Sequence, residues 1–175
     1  MLVLIVGVLV GAIQAGTSVL YAALGEVMSE RAGVINLGVE GTMLMGAVTG
    51  VMVSVITGNP WLGVLAAAVA GILFHLLIAY LVIGRGANQL ATGLALGFLG
   101  IGLSALIGRP YVGQQVNGLN DLPIPVLSDL PVVGRILFQH DLLTYAVVPL
   151  AFLLSWVLKQ TRWGLALRTV GEDKT

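Results

Sequence analysis

Charged residues interrupt an otherwise apolar chain and divide it into long uncharged windows. Residues 1–25, 41–84, 86–108 and 142–158 contain no Asp, Glu, Lys or Arg. A bilayer core about 30 Å thick is crossed by about 20 apolar residues in an α-helix. The window 41–84 is long enough for two such helices, and each of the others for one. The pattern therefore predicts an all-α integral membrane protein with about five transmembrane helices.

Turn signals between the windows set approximate limits for the spans. Gly58, Asn59 and Pro60 divide the long window, because Gly and Asn adopt turn conformations and Pro cannot continue a helix. We predict a transmembrane domain over residues 1–158 and a cytoplasmic tail over 159–175. The domain is predicted to hold spans at about 2–24, 34–57, 61–83, 89–107 and 142–158, with an external segment at 108–141.

The distribution of Lys and Arg predicts the orientation of these helices. If the tail is cytoplasmic, only Arg109 and Arg135 lie outside. Cytoplasmic loops of membrane proteins carry an excess of basic residues. The N-terminus is therefore predicted to be external and the C-terminus cytoplasmic. The basic residues on the cytoplasmic side are then Arg31, Arg85, Lys159, Arg162, Arg168 and Lys174.

Composition excludes several classes of function. Only 9% of the residues are charged, against about a quarter in soluble domains, and the mean hydropathy is +1.02. The formal net charge of +0 makes nucleic acid an unlikely partner. The chain has no cysteine, phosphate-binding loop, nucleophile elbow or metal-binding pair. We therefore predict no catalytic residue, no metal and no cofactor, and any energy has to come from a partner.

Small residues recur along the predicted second helix. Gly38, Thr42, Gly46, Gly50 and Ser54 follow one another at intervals of four. In lipid, helices associate through van der Waals packing, and small side chains let their backbones approach closely. The repeat predicts a closely packed helix. Similar series occur at Gly7 and Gly11, at Gly93 and Gly97, and at Gly63, Ala67 and Gly71.

A polar face is predicted on the first helix. Gln14, Thr17, Ser18 and Tyr21 have the spacing of one helical face. These side chains either bond to neighbouring helices or line an aqueous cavity.

Three polar residues in the second and third spans are candidates for function. Glu40 is unusual because a carboxylate held near the bilayer centre costs about 2.5 kcal/mol or more. It either contacts substrate, stands at the start of a broken helix, lies close enough to the interface to stay hydrated, or is protonated and bonded to a neighbour. Asn36 lies one turn before it. His75 is either a neutral imidazole bonded to another helix or a ligand.

The tail contains a short amphipathic helix. Trp163, Ala166, Leu167 and Val170 share one predicted helical face. Such a helix lies in a membrane interface or docks on a partner.

Four stretches of the chain resemble a known family. They are residues 30–47 (ERAGVINLGVEGTMLMGA), 88–96 (NQLATGLAL), 124–134 (IPVLSDLPVVG) and 161–172 (TRWGLALRTVGE). In this order they resemble the permease subunits of bacterial ABC importers for nucleosides and simple sugars, which are relatives of branched-chain amino acid permeases.

The resemblance implies a subunit that forms half of a transmembrane pathway in the bacterial cytoplasmic membrane. The implied partners are an ABC ATPase that uses the ATP, a second identical or different permease subunit, an extracytoplasmic substrate-binding protein and membrane lipid. Asn36 and Glu40 belong to the signature helix close to the pathway, and with Gln14 they are the predicted pathway residues. The predicted ATPase-coupling residues are Arg162, Trp163, Gly164, Leu167, Arg168, Gly171 and Glu172.

The resemblance also implies a longer protein. Relatives continue through a coupling helix and further spans to about twice this length, whereas the sequence here ends at Thr175. We therefore expect a truncated chain with an incomplete coupling helix.

Three other functions are alternatives to an importer permease for nucleosides or sugars. They are a passive channel or facilitator, a branched-chain amino acid permease and a purely structural membrane subunit.

Overall fold

Long apolar helices make up most of the structure. The computed structural model describes residues 1–128, 130 and 132–172. Within that part of the chain, five helices are long and apolar enough to cross a membrane. The predicted all-α membrane fold with about five spans is confirmed. These helices cover Leu2–Arg31, Val39–Thr57, Pro60–Gly84, Gln89–Tyr111 and Leu142–Gln160.

The elements follow one another with short connections, except between the fourth and fifth spans. A π-helical turn at Tyr80–Gly84 extends α3, and a 3-10 turn at Arg109–Tyr111 extends α4. β1 and β2 pair antiparallel, with Leu122 opposite His140. The elements are α1 (Leu2–Arg31), α2 (Val39–Thr57), α3 (Pro60–Ala79), α4 (Gln89–Gly108), β1 (Leu122–Pro123), α5 (Val133–Leu137), β2 (Gln139–His140), α6 (Leu142–Gln160) and α7 (Arg162–Glu172).

Two helix limits differ from the predicted spans. α1 continues to Arg31 instead of ending near residue 24, because charged residues leave the apolar window without breaking a helix. α2 begins at Val39 instead of residue 34. Gly33 has a φ of 84°, and the Asn36 side chain accepts a hydrogen bond from the Gly38 backbone, so the chain turns before the helix begins.

The turn between α2 and α3 has the predicted composition and position. Gly58 ends α2 with a φ of 68°, and Pro60 occupies the first turn of α3. Asn59 Oδ1 accepts a hydrogen bond of 2.9 Å from the Trp61 backbone N–H. Gly58 therefore adopts the predicted turn conformation, whereas Asn59 is extended and contributes as the side-chain N-cap of α3, which begins at Pro60.

The described chain divides into two compact units. The α2–α4 unit consists of Gly33–Gly118, and the α1–α6 unit consists of Met1–Ala32 with Leu119–Thr175. In the α2–α4 unit, α2 packs against both α3 and α4. Its buried apolar cluster comprises Phe74, Ile78, Val82 and Leu96.

Glycine backbones form the contact between α2 and α4. A Cβ atom added to Gly41 would lie 2.6 Å from the Gly97 carbonyl oxygen, and one added to Gly100 would lie 2.6 Å from Gly41 Cα. Gly38 and Gly93 approach one another in the same way. The predicted small-residue packing is confirmed here, and we call these five residues the glycine seam.

A second close approach joins α2 to α3. A Cβ atom on Gly63 would lie 2.6 Å from the Gly50 carbonyl oxygen and would overlap Ser54 Oγ. Gly46 is less crowded, because a Cβ atom there would be 3.5 Å from the Ala67 carbonyl oxygen. The strip predicted on α2 therefore serves both of its neighbours in this unit.

In the α1–α6 unit, α1 packs against α5, α6 and α7. Tyr21 donates a hydrogen bond of 2.8 Å to the Leu143 carbonyl oxygen near the start of α6. Farther along both helices, Arg31 and Lys159 line the same cavity. α1 and α6 therefore run in the same direction, as expected for the first and fifth of five spans.

The glycine seam makes a prediction about stability. Gly100→Ala should lower the apparent Tm of the purified protein in mild detergent, because overpacking of this kind costs about 1–3 kcal/mol. Gly102→Ala is the matched control on the same helix, since a Cβ atom there has no neighbour within 4 Å. It should leave the Tm unchanged or raise it slightly through helix propensity. Equal Tm values for the two variants would contradict the seam.

Candidate functional site

Asn36 is a buried connection between the start of α2 and the middle of α3. Its side chain is 5% exposed. Oδ1 accepts a hydrogen bond of 2.8 Å from the Gly38 backbone N–H, and Nδ2 lies 3.3 Å from His75 Nε2. Because an amide nitrogen can only donate, Nε2 is the acceptor. His75 is bonded through this nitrogen to the segment before α2, and not to another helix as predicted.

Gln89 holds the same segment from the side of α4. Its Oε1 accepts a hydrogen bond of 3.0 Å from the Ile35 backbone N–H, and its Nε2 donates one of 3.4 Å to the Gly33 carbonyl oxygen. Asn88, just before it, caps α4 by accepting from the Ala91 backbone N–H. Gln89 was not among the predicted site residues, although it lies in the second of the four stretches that resemble the family. We call Gly33–Gly38, bound by Asn36 and Gln89, the signature loop.

Glu40 lies directly after the signature loop, in the first turn of α2. Its side chain is exposed, whereas Asn36 one turn earlier is buried. A carboxylate in the first turn of a helix is favoured by the partial positive charge of the helix N-terminus. The two predicted residues are thus neighbours in the α2–α4 unit with different environments.

Gln14 belongs to the other unit and is exposed on α1. Thr17 and Ser18 donate hydrogen bonds of 2.8 Å to carbonyl oxygens of their own helix. Of the predicted polar face, Tyr21 is the member that bonds to a neighbouring helix. Gln14 and Ser18 are therefore the polar side chains of this face that are exposed at the surface of the unit.

The predicted coupling residues fall on α7, which folds against the end of α6. Gly164 is buried, and a Cβ atom on it would overlap the carbonyl oxygens of Val157 and Leu158. Arg168 is half-buried, and its Nε donates a hydrogen bond of 3.3 Å to the Gly164 carbonyl oxygen.

The other coupling residues differ in how far they are accessible. Trp163 is 83% exposed. Arg162 and Glu172 are also exposed, whereas Leu167 and Gly171 are half-buried. The exposed residues of α7 are therefore the ones available to a partner.

The amide and imidazole side chains around the signature loop bond to the protein itself. Among the described residues, no group of three or more His, Asp or Glu side chains is placed to hold a metal ion. Asn36, Gln89 and His75 bond to one another or to the loop backbone, and the Glu40 carboxylate beside them is exposed.

Comparison with known proteins identifies the family. The family model described as branched-chain amino acid transport system, permease component, matches residues 4–175. The chain belongs to this family of transport permeases. It is accordingly a multi-pass protein of the cytoplasmic membrane, and the expectation drawn from the four sequence stretches is confirmed.

Individual relatives of the permease chain share about a third of its residues. It is 38% identical over 162 residues to the guanosine ABC transporter permease protein of Bacillus subtilis, covering 86% of this chain and 51% of the relative. It is 33% identical over 171 residues to the nucleoside ABC transporter permease protein of Lactococcus lactis, covering 90% and 53%.

A third relative comes from Haloferax volcanii and is named provisionally as a glucose ABC transporter permease protein. It is 37% identical over 171 residues, covering 95% of this chain and 52% of the relative. The permease chain thus spans about half the length of the curated relatives it matches. No solved structure matches it significantly.

The signature loop predicts a specific loss of stability. Asn36→Ala removes the acceptor of the Gly38 N–H and the donor to His75, and an unsatisfied buried polar group costs about 1–3 kcal/mol. Asn59→Ala is the matched control, because it removes an exposed cap with one hydrogen bond. We expect the apparent Tm in detergent to fall further for Asn36→Ala than for Asn59→Ala. A larger loss for Asn59→Ala would show that Asn36 does not hold the loop.

Proposed function

We propose that this chain forms part of the transmembrane pathway of an ATP-binding-cassette importer for a small polar solute, a nucleoside or a simple sugar. The observation that carries the proposal is the family match over residues 4–175, which covers both units. The relatives named for guanosine, nucleosides and glucose supply the substrate class. The chain itself takes no cofactor, and ATP is hydrolysed by a partner ATPase. A second permease subunit and an extracytoplasmic binding protein complete the assembly.

Glu40 and Gln14 are the proposed substrate-facing residues. Both are exposed on predominantly apolar helices, and a carboxylate or amide facing lipid is costly. Polar residues within spans therefore face a protein interior or an aqueous pathway. Asn36 has a different proposed part, because its hydrogen bonds fix the loop from which Glu40 is presented.

The proposed coupling element is α7. An exposed Trp163 beside Ala166 and Val170 gives it an apolar face, and the contact of Gly164 with α6 connects it directly to a membrane-spanning helix. A displacement of α7 by the ATPase would thus be passed to α6. This placement requires α7 to be cytoplasmic, and the parallel course of α1 and α6, with Arg31, Lys159 and Arg168 at one end, supports that orientation.

Uptake by intact cells tests the proposal. The full-length protein is expressed with its own ATPase and binding protein in cells that lack other nucleoside uptake, and accumulation of tritium-labelled guanosine is measured. We expect uptake to require the ATPase and to be inhibited by unlabelled nucleosides. ATPase-dependent accumulation of labelled glucose but not of guanosine would assign a sugar, and accumulation of labelled leucine alone would assign a branched-chain amino acid. Flux that persists without the ATPase would overturn the importer in favour of a facilitator.

The same assay tests the pathway residues. Glu40→Gln should raise the KM for uptake about tenfold, because a hydrogen bond to a charged group contributes about 1.5–3 kcal/mol. Glu30→Gln, an exposed carboxylate at the end of α1, should leave the KM unchanged. Identical kinetics for Glu40→Gln and the parent protein would remove Glu40 from the pathway.

Binding of the ATPase tests the coupling element. Trp163→Asp should weaken co-purification of the ATPase by about 30-fold or more, as expected for a buried interface tryptophan worth about 2 kcal/mol. Thr169→Asp places the same charge at an exposed position of α7 outside the apolar face. It should preserve the complex. A stable complex with Trp163→Asp would refute docking through this face.

A further inference from the structure

A cavity of about 270 Å³ lies within the α1–α6 unit, between α1, α6 and α7. Its walls combine three basic side chains, one hydroxyl and an apolar remainder. We propose that this cavity binds an anionic phospholipid, with the phosphate held by Arg31, Lys159 and Arg168. The binding of lipid is separate from transport and does not depend on which solute the importer carries.

The protein atoms that line the cavity do not balance the positive charges around it. Arg31 lies in the last turn of α1, Lys159 in the last turn of α6, and Arg168 comes from α7. A helix C-terminus carries about half a negative charge, so two of them offset about one of the three positive charges. About two positive charges remain, and none of the described residues lining the cavity is acidic. A phosphate monoanion satisfies this field.

Arg168 is positioned to bind an anion. Its Nε donates to the Gly164 carbonyl oxygen of the same helix, which holds the guanidinium stem against α7. The remaining guanidinium N–H groups form a planar fork that matches two phosphate oxygens. Ser155 adds a hydroxyl donor to the same wall.

The apolar side chains of the cavity lining favour the binding of an amphiphile over that of a free anion. Leu24, Val27 and Leu154 are among the apolar side chains that form the other walls. The volume corresponds to about nine water molecules at about 30 Å³ each, which is more than one phosphate group fills. An inorganic phosphate would leave apolar walls against water, whereas the glycerol and first methylene groups of a lipid would cover them.

An exposed tryptophan places the cavity at the level of lipid headgroups. Trp156 is 58% exposed and lies one turn before Lys159 on α6. Tryptophan is enriched at the boundary between hydrocarbon and water. Basic pockets between transmembrane helices at the cytoplasmic boundary are typical binding sites for anionic lipid headgroups. The headgroup of a phospholipid therefore meets basic residues at this cavity, and its first methylene groups meet apolar walls.

The test measures lipid retained by the intact complex. The full-length protein with its partner subunits is delipidated in detergent and equilibrated with phosphatidylglycerol, phosphatidylcholine or inorganic phosphate. Bound molecules are counted by native mass spectrometry, and the apparent Tm is recorded for each addition. We expect phosphatidylglycerol to be retained and to raise the Tm, and phosphatidylcholine and inorganic phosphate to do neither.

Variants locate the site. Arg168→Gln should reduce phosphatidylglycerol retention about fivefold, and the triple change Arg31→Gln, Lys159→Gln and Arg168→Gln about 100-fold. Arg162→Gln is the matched control on α7, because Arg162 does not line the cavity, and it should keep full retention. Ala151→Phe fills the apolar part without changing any charge and should also release the lipid, which covers the case that the triple variant fails to fold.

Four outcomes would overturn the proposal. Stabilisation by inorganic phosphate equal to that by phosphatidylglycerol would make the cavity a site for a free anion. Equal retention of phosphatidylcholine would show that the basic residues do not select the headgroup. Retention unchanged by Arg168→Gln and Ala151→Phe would place the lipid elsewhere, and no retained lipid would mean that protein fills the cavity in the complex.

Discussion

Backbone polar groups of a membrane protein need partners where the chain leaves a helix, and the signature loop obtains them from two amide side chains. Between α1 and α2 the chain leaves the helical conformation, so its N–H and C=O groups lose their helical partners. Gln89 binds Ile35 N–H and the Gly33 carbonyl, and Asn36 binds Gly38 N–H. Irregular backbone at membrane depth is tolerated only where it is buried in protein or lines a hydrated cavity. The loop is thus an ordered part of the fold.

The glycine seam makes those hydrogen bonds possible. Gln89 begins α4, and its side chain reaches the loop because Gly38 and Gly93 bring the α2 and α4 backbones together. On the other side, the close approach of Gly50 to Gly63 holds α3 beside α2, so that His75 meets Asn36. The close backbone contacts at the glycines and the hydrogen bonds of Asn36 and Gln89 are therefore parts of one arrangement. Glu40 obtains its position from both.

The fold could be predicted from sequence to the extent that charge and turn residues mark it. Five spans followed from uncharged windows, and Gly58, Asn59 and Pro60 marked the turn. The start of α2 could not be found in this way, because apolar residues continue through the loop and hydropathy does not distinguish a turn from a helix. Gln89 was missed for a related reason. Periodicity shows which face is polar, but the partner of a side chain depends on how helices pack.

The seam also constrains which sequence changes this helix pair can accept. Every replacement of a glycine adds at least one heavy atom, and at Gly41, Gly93 and Gly100 the nearest obstacle is backbone that has no rotamer to change. A conventional apolar interface offers graded exchanges, such as Ile to Val, that lose little stability at each step. No such gradation exists between two backbones in contact. Substitutions that preserve this helix pair are therefore expected outside the glycine seam, while the paired α2 and α4 backbones stay fixed.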